Sequence, residues 1–268
     1  MVKITNLIFE LGIYPQSLKL SKIIPVYKDG DSKVLNNYRP ISILNSTNKI
    51  IEKLLYTRIV NFLNDNDFFY KKQYGFRRLS NTSCACTEIL IRILLEIDSG
   101  EIVTGLFLDL SKAFDTVNHD LLIDKLKNSG IRGIPLTLIR NYLTNRQQYV
   151  SLNGITSNRK FTTIGVPQGS VLGPLFFLIF INDIMNINLM GQLNIYADDC
   201  AIFYNNKNIN DNVANINYDL KLLYDYFCKN KLTLNIQKSQ YMNFHSQNKI
   251  IQETQIYFHG NNMETTYN

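Results

Sequence analysis

Apolar residues recur at helical spacing in several stretches of the chain, and this periodicity predicts the longer helices. In residues 43–65, Ile51, Leu55 and Ile59 fall on one side of a helix whose opposite side is polar. The same spacing predicts helices over residues 87–97, 119–129, 134–144 and 211–229. Residues 171–181 are apolar almost throughout, which predicts a buried helix that is too short to span a bilayer.

Shorter apolar runs predict strands, and their order along the chain indicates the fold class. The predicted strands cover residues 22–28, 102–108, 149–152, 193–196, 200–204 and 232–244. Helices and strands do not alternate with the regular rhythm of a doubly wound parallel sheet. There is no internal repeat, and no linker rich in Pro, Gly or Ser precedes the Asn-rich stretch at 205–216. The pattern therefore predicts a continuously packed α+β fold.

Three aspartates are predicted to meet at one end of these strands. Asp109 follows the apolar run 102–108, while Asp198 and Asp199 lie between two apolar runs that predict a hairpin. Aspartates at a tight turn are usually solvated turn residues, because Asp tolerates turn geometry. The chain between Asp109 and the hairpin is nevertheless long enough for an antiparallel return, so the three carboxylates can converge.

Clustered carboxylates repel one another, and a cluster persists only if cations or protons neutralise it. Mg²⁺ is the natural partner, since it binds through one or two carboxylates and keeps waters and substrate phosphates as its other ligands. Two such ions, with Mn²⁺ as a possible substitute, stabilise the attacking and leaving oxygens of an in-line phosphoryl displacement. The aspartates therefore predict nucleotidyl transfer, in which a primer 3′-hydroxyl attacks the α-phosphate of a deoxynucleoside triphosphate.

Charge is distributed unevenly along the 268 residues, whose formal net charge is +6. Residues 1–80 hold 13 Lys and Arg against 6 Asp and Glu, whereas the remainder holds 15 against 16. A basic surface suits a phosphate backbone, although solubility explains the charge alone equally well.

Cysteine use and the first residues bear on the cellular compartment. The four cysteines form neither a CxxC pair nor the framework of a secreted domain, and the three histidines do not complete a zinc pattern. Residues 1–6 lack the plan of a signal peptide. These features predict an intracellular protein, nuclear or cytoplasmic, that is not secreted and has no membrane partner.

Five blocks of sequence stand out along the chain. They are Asn37-Tyr38-Arg39-Pro40-Ile41-Ser42, Gln73-Tyr74-Gly75-Phe76-Arg77, Phe107-Leu108-Asp109-Leu110-Ser111-Lys112-Ala113-Phe114-Asp115, Gly165-Val166-Pro167-Gln168-Gly169-Ser170-Val171-Leu172-Gly173-Pro174 and Tyr196-Ala197-Asp198-Asp199. In order and spacing these blocks resemble the reverse transcriptases of non-LTR (LINE-like, jockey-type) retrotransposons. A lone Tyr-x-Asp-Asp is a weak signal, but five ordered blocks over nearly the whole chain are a strong one.

The resemblance implies a right-hand polymerase fold and an RNA-directed DNA polymerase activity. It implies basic fingers over residues 1–104 that contact template and triphosphate, a catalytic palm over 105–245, and an incomplete segment over 246–268 before the primer grip and thumb. The implied substrates are an RNA template, a DNA primer and deoxynucleoside triphosphates. With the thumb missing or incomplete, weak binding of primer and template is expected, because much of that affinity comes from backbone contacts.

The resemblance also assigns roles to single residues. Asp109 and Asp198 become the principal metal ligands, and Asp199 becomes the third carboxylate. Phe114 would block a ribose 2′-hydroxyl, unless its ring is ordinary core. Gln168 would support the templating base and the incoming nucleotide, and a glycine after it, Gly169, would allow a close backbone approach. The alternative for both is that they only shape a loop.

Three cations receive roles in the same way. Lys28 and Arg39 resemble the fingers residues that hold the triphosphate, Arg as a bidentate fork and Lys as a point charge. Lys238 resembles the lysine that is proposed to protonate departing pyrophosphate. Each has the alternative of being a solvated surface cation. Asp115 is expected to have a structural role and not to bind metal.

Two other interpretations stay open. The chain can be a non-enzymatic remnant that binds nucleic acid through residues 1–80 without polymerising, which metal-dependent nucleotide incorporation would distinguish. It can also be a reverse transcriptase of the group II intron type, although the wording of residues 107–115 and 165–174 favours the LINE-like group.

Overall fold

The computed structural model describes residues 2–78, 80–249, 255–258 and 261–265. Its α-helices in chain order are α1 Val2–Leu11, α2 Ser46–Asp65, α3 Thr82–Asp98, α4 Ala113–Thr116, α5 His119–Asn128, α6 Gly133–Leu143, α7 Leu172–Ile181 and α8 Ile209–Lys229. Its strands are β1 Leu20–Tyr27, β2 Tyr38–Ile43, β3 Ile102–Leu108, β4 Arg146–Leu152, β5 Ile155–Thr156, β6 Lys160–Thr162, β7 Gln192–Tyr196, β8 Asp199–Asn206, β9 Gln240–Phe244, β10 Tyr257–Phe258, β11 Asn261–Asn262 and β12 Glu264–Thr265. This mixture of helices and sheets confirms the predicted α+β class.

The chain divides into two compact units, each built from two separate stretches. Unit 1 consists of Met1–Phe69 and Phe114–Ile181, and unit 2 consists of Tyr70–Ala113 and Asn182–Asn268. These limits differ from the boundaries at 104 and 245 that were expected from the sequence. The difference arises because β1 and β4, far apart in the chain, pair in one sheet. The functional division into fingers and palm stays a prediction.

Unit 1 contains a sheet of order β2-β1-β4-β5, with β6 also paired to β4. In this sheet β1 runs antiparallel to β2 and parallel to β4. The core of the unit includes α7, which is buried at every position except Pro174 and packs against α2 and α5. The prediction of a buried helix here is confirmed. No described helix is long and apolar enough to cross a membrane.

Unit 2 is organised around a sheet of order β12-β9-β3-β8-β7. The central strand β3 is antiparallel to both β8 and β9. Ile93 of α3 packs with Val103 and Phe203 in a buried cluster, and α8 also contacts β3 and β8. The strand β3 is paired on both edges and covered by helices. The backbone at its end, where Asp109 follows, is therefore held firmly in place.

The strand expected over residues 232–244 is shorter in the structure. Only β9, Gln240–Phe244, is extended, and residues 235–239 form a turn in which the Ser239 backbone N–H donates to the Asn235 carbonyl at 3.0 Å. The apolar pattern did not reveal this turn, because its side chains serve a distant partner, Asp109. The strand β2 was also missed as a strand, since Pro40 interrupts its pattern.

Candidate active site

The hairpin of β7 and β8 carries two of the three predicted aspartates at its tip. Tyr196 pairs with Asp199, so Ala197 and Asp198 form a two-residue turn and Asp199 is the first residue of β8. Ala197 has a φ of 59°, in the left-handed region. The sequence-based expectation of a carboxylate-bearing hairpin is therefore met, with Asp199 inside the strand and only Asp198 in the turn.

Asp109 lies beside this tip because of the strand register. Leu108 is opposite Cys200 in the antiparallel pair of β3 and β8, so the next residues outward, Asp109 and Asp199, are neighbours at the same end of the sheet. Loss of solvation and then the negative charge of Asp109 raise the pKa of the Asp199 carboxyl above its usual value. The structure thus brings these two carboxylates close enough to repel one another.

Asp109 is held by the turn that precedes β9. The Asn235 Nδ2 donates to Asp109 Oδ2 at 2.9 Å, and the Asn235 backbone N–H donates to the Asp109 carbonyl at 2.8 Å. The Asp109 backbone N–H donates to Ser239 Oγ at 3.2 Å. These hydrogen bonds hold both the carboxylate and the backbone of Asp109 in place.

Sequence reasoning missed Asn235 and Ser239 as site residues. Their only signal was their place beside Lys238, in the segment Leu234-Asn235-Ile236-Gln237-Lys238-Ser239. Lys238 itself is exposed in the same turn, and its backbone N–H donates to the Asn235 carbonyl at 3.2 Å. Its proposed part in proton transfer stays a prediction.

The aspartates at this end of the sheet offer oxygen ligands for a metal ion. Within the described ranges, no group of three or more His, Cys, Asp or Glu side chains is arranged as around an ion. The sequence predicted that three carboxylates would converge. The strand register makes two of them, Asp109 and Asp199, neighbours, and Asp198 lies in the adjoining turn. Mg²⁺ needs only one or two protein carboxylates, so this pair of oxygen donors fits the ion. A ligand role for Asp198 stays a prediction.

The predicted Pro-Gln-Gly loop belongs to unit 1. Gln168 Nε2 donates to Asp115 Oδ1 at 2.8 Å, and the Ser42 backbone N–H donates to the Gln168 carbonyl at 2.7 Å. These residues line a cleft of about 320 Å³ together with the buried Arg146 and the exposed Gln148. The bond to Gln168 gives Asp115 the kind of structural role expected from the sequence, and the cleft has the size of a small-ligand site.

The backbone conformation and the close packing at position 169 both require glycine. Its φ is +106°, and a Cβ placed on it would lie 2.8 Å from the Ser42 carbonyl oxygen. The backbone of β2 therefore passes close to Gly169. A contact of Gly169 with substrate stays a prediction.

Phe114, the predicted sugar-screening residue, is partly core. Its ring is half-buried and lies 4.8 Å from the ring of the fully buried Phe177, measured between centroids, at an interplanar angle of 31°. One part of the ring thus packs in unit 1, and the remainder is accessible.

The two predicted triphosphate-binding cations lie on one hairpin. Arg39 of β2 is opposite Val26 of β1, and the Lys28 backbone N–H continues the ladder by donating to Asn37 O at 2.9 Å. Because residues two apart share a face of a strand, Lys28 and Arg39 lie diagonally on the same face. Both are exposed, so they form a small basic patch.

Solved telomerase structures share this fold. Apo telomerase from Candida tropicalis matches with a TM-score of 0.61 at 12% sequence identity, over 97% of this chain and 51% of that chain. A form of the enzyme truncated from its C-terminal domain matches with a TM-score of 0.59 at 14% identity, over 96% of this chain and 56% of that chain. The fold is therefore that of a polymerase, as predicted.

Sequence comparison defines the family. A profile described as reverse transcriptase (RNA-dependent DNA polymerase) matches residues 26–263. The chain belongs to this family.

Relatives in transposable elements confirm the predicted resemblance to non-LTR, jockey-type reverse transcriptases. The RNA-directed DNA polymerase from mobile element jockey is 34% identical in Drosophila funebris, over 75% of this chain and 23% of the relative. The corresponding protein of Drosophila melanogaster is 31% identical, over 77% of this chain and 23% of the relative. The probable RNA-directed DNA polymerase from transposon BS of Drosophila melanogaster is 30% identical, over 88% and 27%. The chain thus spans about a quarter of the length of these relatives.

Proposed function

We propose that this chain is the catalytic core of an RNA-directed DNA polymerase and that Asp109, Asp198 and Asp199 serve nucleotidyl transfer to a primer 3′-hydroxyl. The observation that carries the proposal is the register of β3 against β8, which makes Asp109 and Asp199 neighbours at one end of the sheet. Membership of the reverse transcriptase family supports the same reaction.

Divalent metal is the cofactor that these carboxylates fit. Reverse transcriptases generally use divalent metal ions. Asp109, Asp198 and Asp199 would hold two Mg²⁺ ions, or Mn²⁺ in their place. When bound, the metal stabilises the negative charge that develops on the phosphate oxygens during phosphoryl transfer. In its absence, desolvation and the repulsion from Asp109 hold the pKa of Asp199 high.

Other residues of unit 2 prepare the carboxylates and the leaving group. Asn235 keeps Asp109 oriented through its 2.9 Å hydrogen bond. Ser239 fixes the Asp109 backbone. Lys238, exposed in the same turn, supplies a proton to the departing pyrophosphate, a form of general acid catalysis that typically contributes about 10²–10⁴-fold.

Residues of unit 1 recognise the nucleotide and the template. The accessible part of the Phe114 ring packs against the sugar and leaves a 2′-hydroxyl neither space nor a partner. Gln168 and Gly169 contact the templating base and the incoming nucleotide, and Gln168 lines the polar cleft that supports this role. Lys28 and Arg39 hold the triphosphate, which their exposed, same-face arrangement supports.

The template is RNA and the primer is DNA. The jockey relatives carry the name RNA-directed DNA polymerase, and a solved telomerase from Candida tropicalis with a TM-score of 0.61 is bound to a fragment of telomeric RNA. The excess of Lys and Arg in residues 1–80 is suited to backbone phosphates.

The test is primer extension on an RNA template with Mg²⁺. Three proteins are compared: the chain, its Asp198→Asn variant, and the chain fused to the C-terminal region of the jockey relative. Asp124→Asn, an exposed aspartate on α5, is the matched control. We expect extension by the chain or by the fusion, loss of extension in Asp198→Asn, and no loss in the control.

The outcomes separate the competing functions. Extension only by the fusion would mean that the core is competent and needs further segments to hold its substrate. Nucleic-acid binding without extension in any protein would support the non-enzymatic interpretation and overturn the catalytic roles. Extension that survives Asp198→Asn would place the chemistry elsewhere.

A further inference from the structure

We infer that Gln73 is a positioning residue, which holds the Ala197-Asp198 turn in the shape that the aspartates require. Its catalytic consequence rests on the proposed function, but its structural basis can be tested separately. Gln73 and Gly75 belong to the Gln-Tyr-Gly-Phe-Arg block, to which neither the site nor the proposed chemistry gave a role.

The first observation is that residues 72–75 dock along the outer strand of the sheet. The Ile195 backbone N–H donates to the Lys72 carbonyl at 2.9 Å, and the Tyr74 N–H donates to the Ile195 carbonyl at 2.8 Å. Gln73 thereby forms a parallel bridge with Ile195 of β7. The segment covers the free edge of β7 two residues before the turn.

The second observation is the bonding of the Gln73 side chain. Its Oε1 accepts from the Gly75 N–H at 2.8 Å and from the Ala197 N–H at 3.0 Å, while its Nε2 lies 3.4 Å from the Ala197 carbonyl. The side chain is buried, with Gln73 only 5% exposed. A buried amide whose oxygen is filled by two backbone donors has little freedom to move, and leaving those donors unpaired is unfavourable.

The third observation is the backbone of Ala197. Its φ of 59° is in the left-handed region, which is less favourable for a residue with a Cβ than for glycine. Two-residue hairpins with a positive φ at the first turn position favour glycine there for this reason. The bond from the Ala197 N–H to Gln73 offsets the strain and selects this conformation.

The fourth observation is that Gly75, which has no side chain, packs directly against the backbone of Ala197. A Cβ on Gly75 would lie 2.2 Å from the Ala197 nitrogen and 2.8 Å from its Cα. Both atoms are backbone, so neither can move aside cheaply. Glycine at position 75 is thus a condition for contact between this loop and the turn.

These contacts act on the carboxylates through the chain. Asp198 directly follows Ala197, and a change of the Ala197 conformation reorients the peptide that carries it. A misplacement of about 1 Å in a catalytic group reduces turnover by about 100-fold. Because Gln73 touches the turn, its loss should lower kcat about 10- to 100-fold with little change in KM for the nucleotide.

The experiment uses the full chain and begins with three single variants. Gln73→Met keeps the side-chain volume but removes the acceptor, and Gln73→Glu retains an acceptor oxygen. Gln247→Ala, at an exposed glutamine in unit 2, is the control. Amide hydrogen exchange is followed at Ala197 and Gly75, alongside kcat and KM in primer extension.

We expect Gln73→Met to accelerate exchange at both amides about 5- to 10-fold, as for the loss of one hydrogen bond, while β3 amides stay protected. Gln73→Glu keeps an acceptor for both amides but turns a second oxygen toward the Ala197 carbonyl, so its protection should lie between that of Gln73→Met and that of the unmodified chain. Adding Ala197→Gly to Gln73→Met should recover part of kcat, because glycine accepts the left-handed backbone. Lys231→Gly, which relieves a comparable φ of 55° elsewhere in unit 2, should not.

The following results would overturn the inference. They are unchanged exchange at Ala197 in Gln73→Met, equal recovery by Lys231→Gly and Ala197→Gly, and global unfolding of Gln73→Met, which would make Gln73 a residue of general stability. If the unmodified chain extends no primer, the proposed function fails, and the exchange measurement alone still decides whether Gln73 holds the turn.

Discussion

Aspartates lie near both ends of the hairpin of β7 and β8, and their surroundings differ. At the end away from the turn, the buried Asp219 of α8 accepts hydrogen bonds from the Met190 N–H at 2.9 Å, the Gly191 N–H at 3.0 Å and the Tyr204 hydroxyl at 3.0 Å. Asp219 is 0% exposed. At the turn, Asp199 adjoins Asp109, and their repulsion contributes to a raised pKa.

The difference shows how to separate a structural carboxylate from a reactive one. Three donors from the protein satisfy the hydrogen-bonding capacity of the buried Asp219 carboxylate, which therefore stabilises the fold. The pair at the turn is left with mutual repulsion that a cation can relieve. Substitution at the turn should therefore affect the reaction, and substitution at Asp219 should affect the stability.

The largest expected effect is on activity. Asp109→Asn should reduce primer extension by at least about a thousandfold, since metal stabilisation of the transition state is worth several kcal/mol. The unfolding midpoint, measured by urea without divalent metal, should stay the same or rise, because the repulsion with Asp199 is removed and Asn can still accept from Asn235. A fall in stability as large as that of an Asp219 variant would break the comparison.

The next effect is on stability. Asp219→Asn should lower the free energy of unfolding by about 3 kcal/mol, because it leaves a buried backbone donor facing an amide nitrogen. Urea denaturation of this variant is compared with that of Asp225→Asn, an exposed aspartate on the same helix, which should change by less than about 0.5 kcal/mol. Equal midpoints for the two variants would show that the contacts of Asp219 carry no net stability.

The third prediction concerns a buried carboxylate in unit 1 that, like Asp219, accepts three hydrogen bonds. Glu52 of α2 is 0% exposed and accepts from Asn48 Nδ2, the Tyr142 hydroxyl and the Val171 N–H, each at 2.7 Å. Glu52→Gln should lower the free energy of unfolding by about 2 kcal/mol. The substitution replaces one carboxylate oxygen by an NH₂ group, which faces a hydrogen-bond donor of the protein. The exposed Glu10→Gln is the control in urea denaturation, and a smaller effect in Glu52→Gln than in Glu10→Gln would contradict the reading of Glu52 as an anchor.

Local patterns were enough to predict most of the elements that position the aspartates. The apolar run 102–108 coincides with β3, and the runs at 193–196 and 200–204 lie within β7 and β8. These strands are bounded by turn residues and buried by their neighbours, so their composition reflects their structure. The position of Asp109 at the end of β3 followed directly from that composition.

Contacts between distant residues could not be predicted in the same way. Asn235 binds Asp109 across 126 residues, and Gln73 binds Ala197 across 124 residues, which no local periodicity encodes. Glu52 and Asp219 occur in helices whose charged positions normally face solvent, so their burial was not apparent. The packing of a charge depends on the donors that the fold brings to it, and those donors come from other segments.

The smallest expected effect concerns His119, a half-buried side chain whose charged form is unfavourable in the fold. His119 of α5 contacts the Gly165 carbonyl through Nε2 at 2.7 Å. Burial lowers the pKa of His119, and the charge of Arg146 acts in the same direction, against the hydrogen bond to Gly165 and the charge of Asp120. His119 is therefore more stable in its neutral form within the fold.

The sign of the pH dependence follows from this shift. The unfolded chain binds the His119 proton more tightly than the folded chain, so the contribution of the neutral ring is complete above the unfolded pKa of about 6.5. It is lost as the pH falls from there toward the lower folded pKa. When the pH is lowered from about 7.5 to about 5.5, the urea midpoint of unfolding should decrease less in His119→Asn than in the unmodified chain. His245→Asn is the control outside this contact, and an equal pH dependence in His119→Asn and the unmodified chain would mean that the loop tolerates the charged ring.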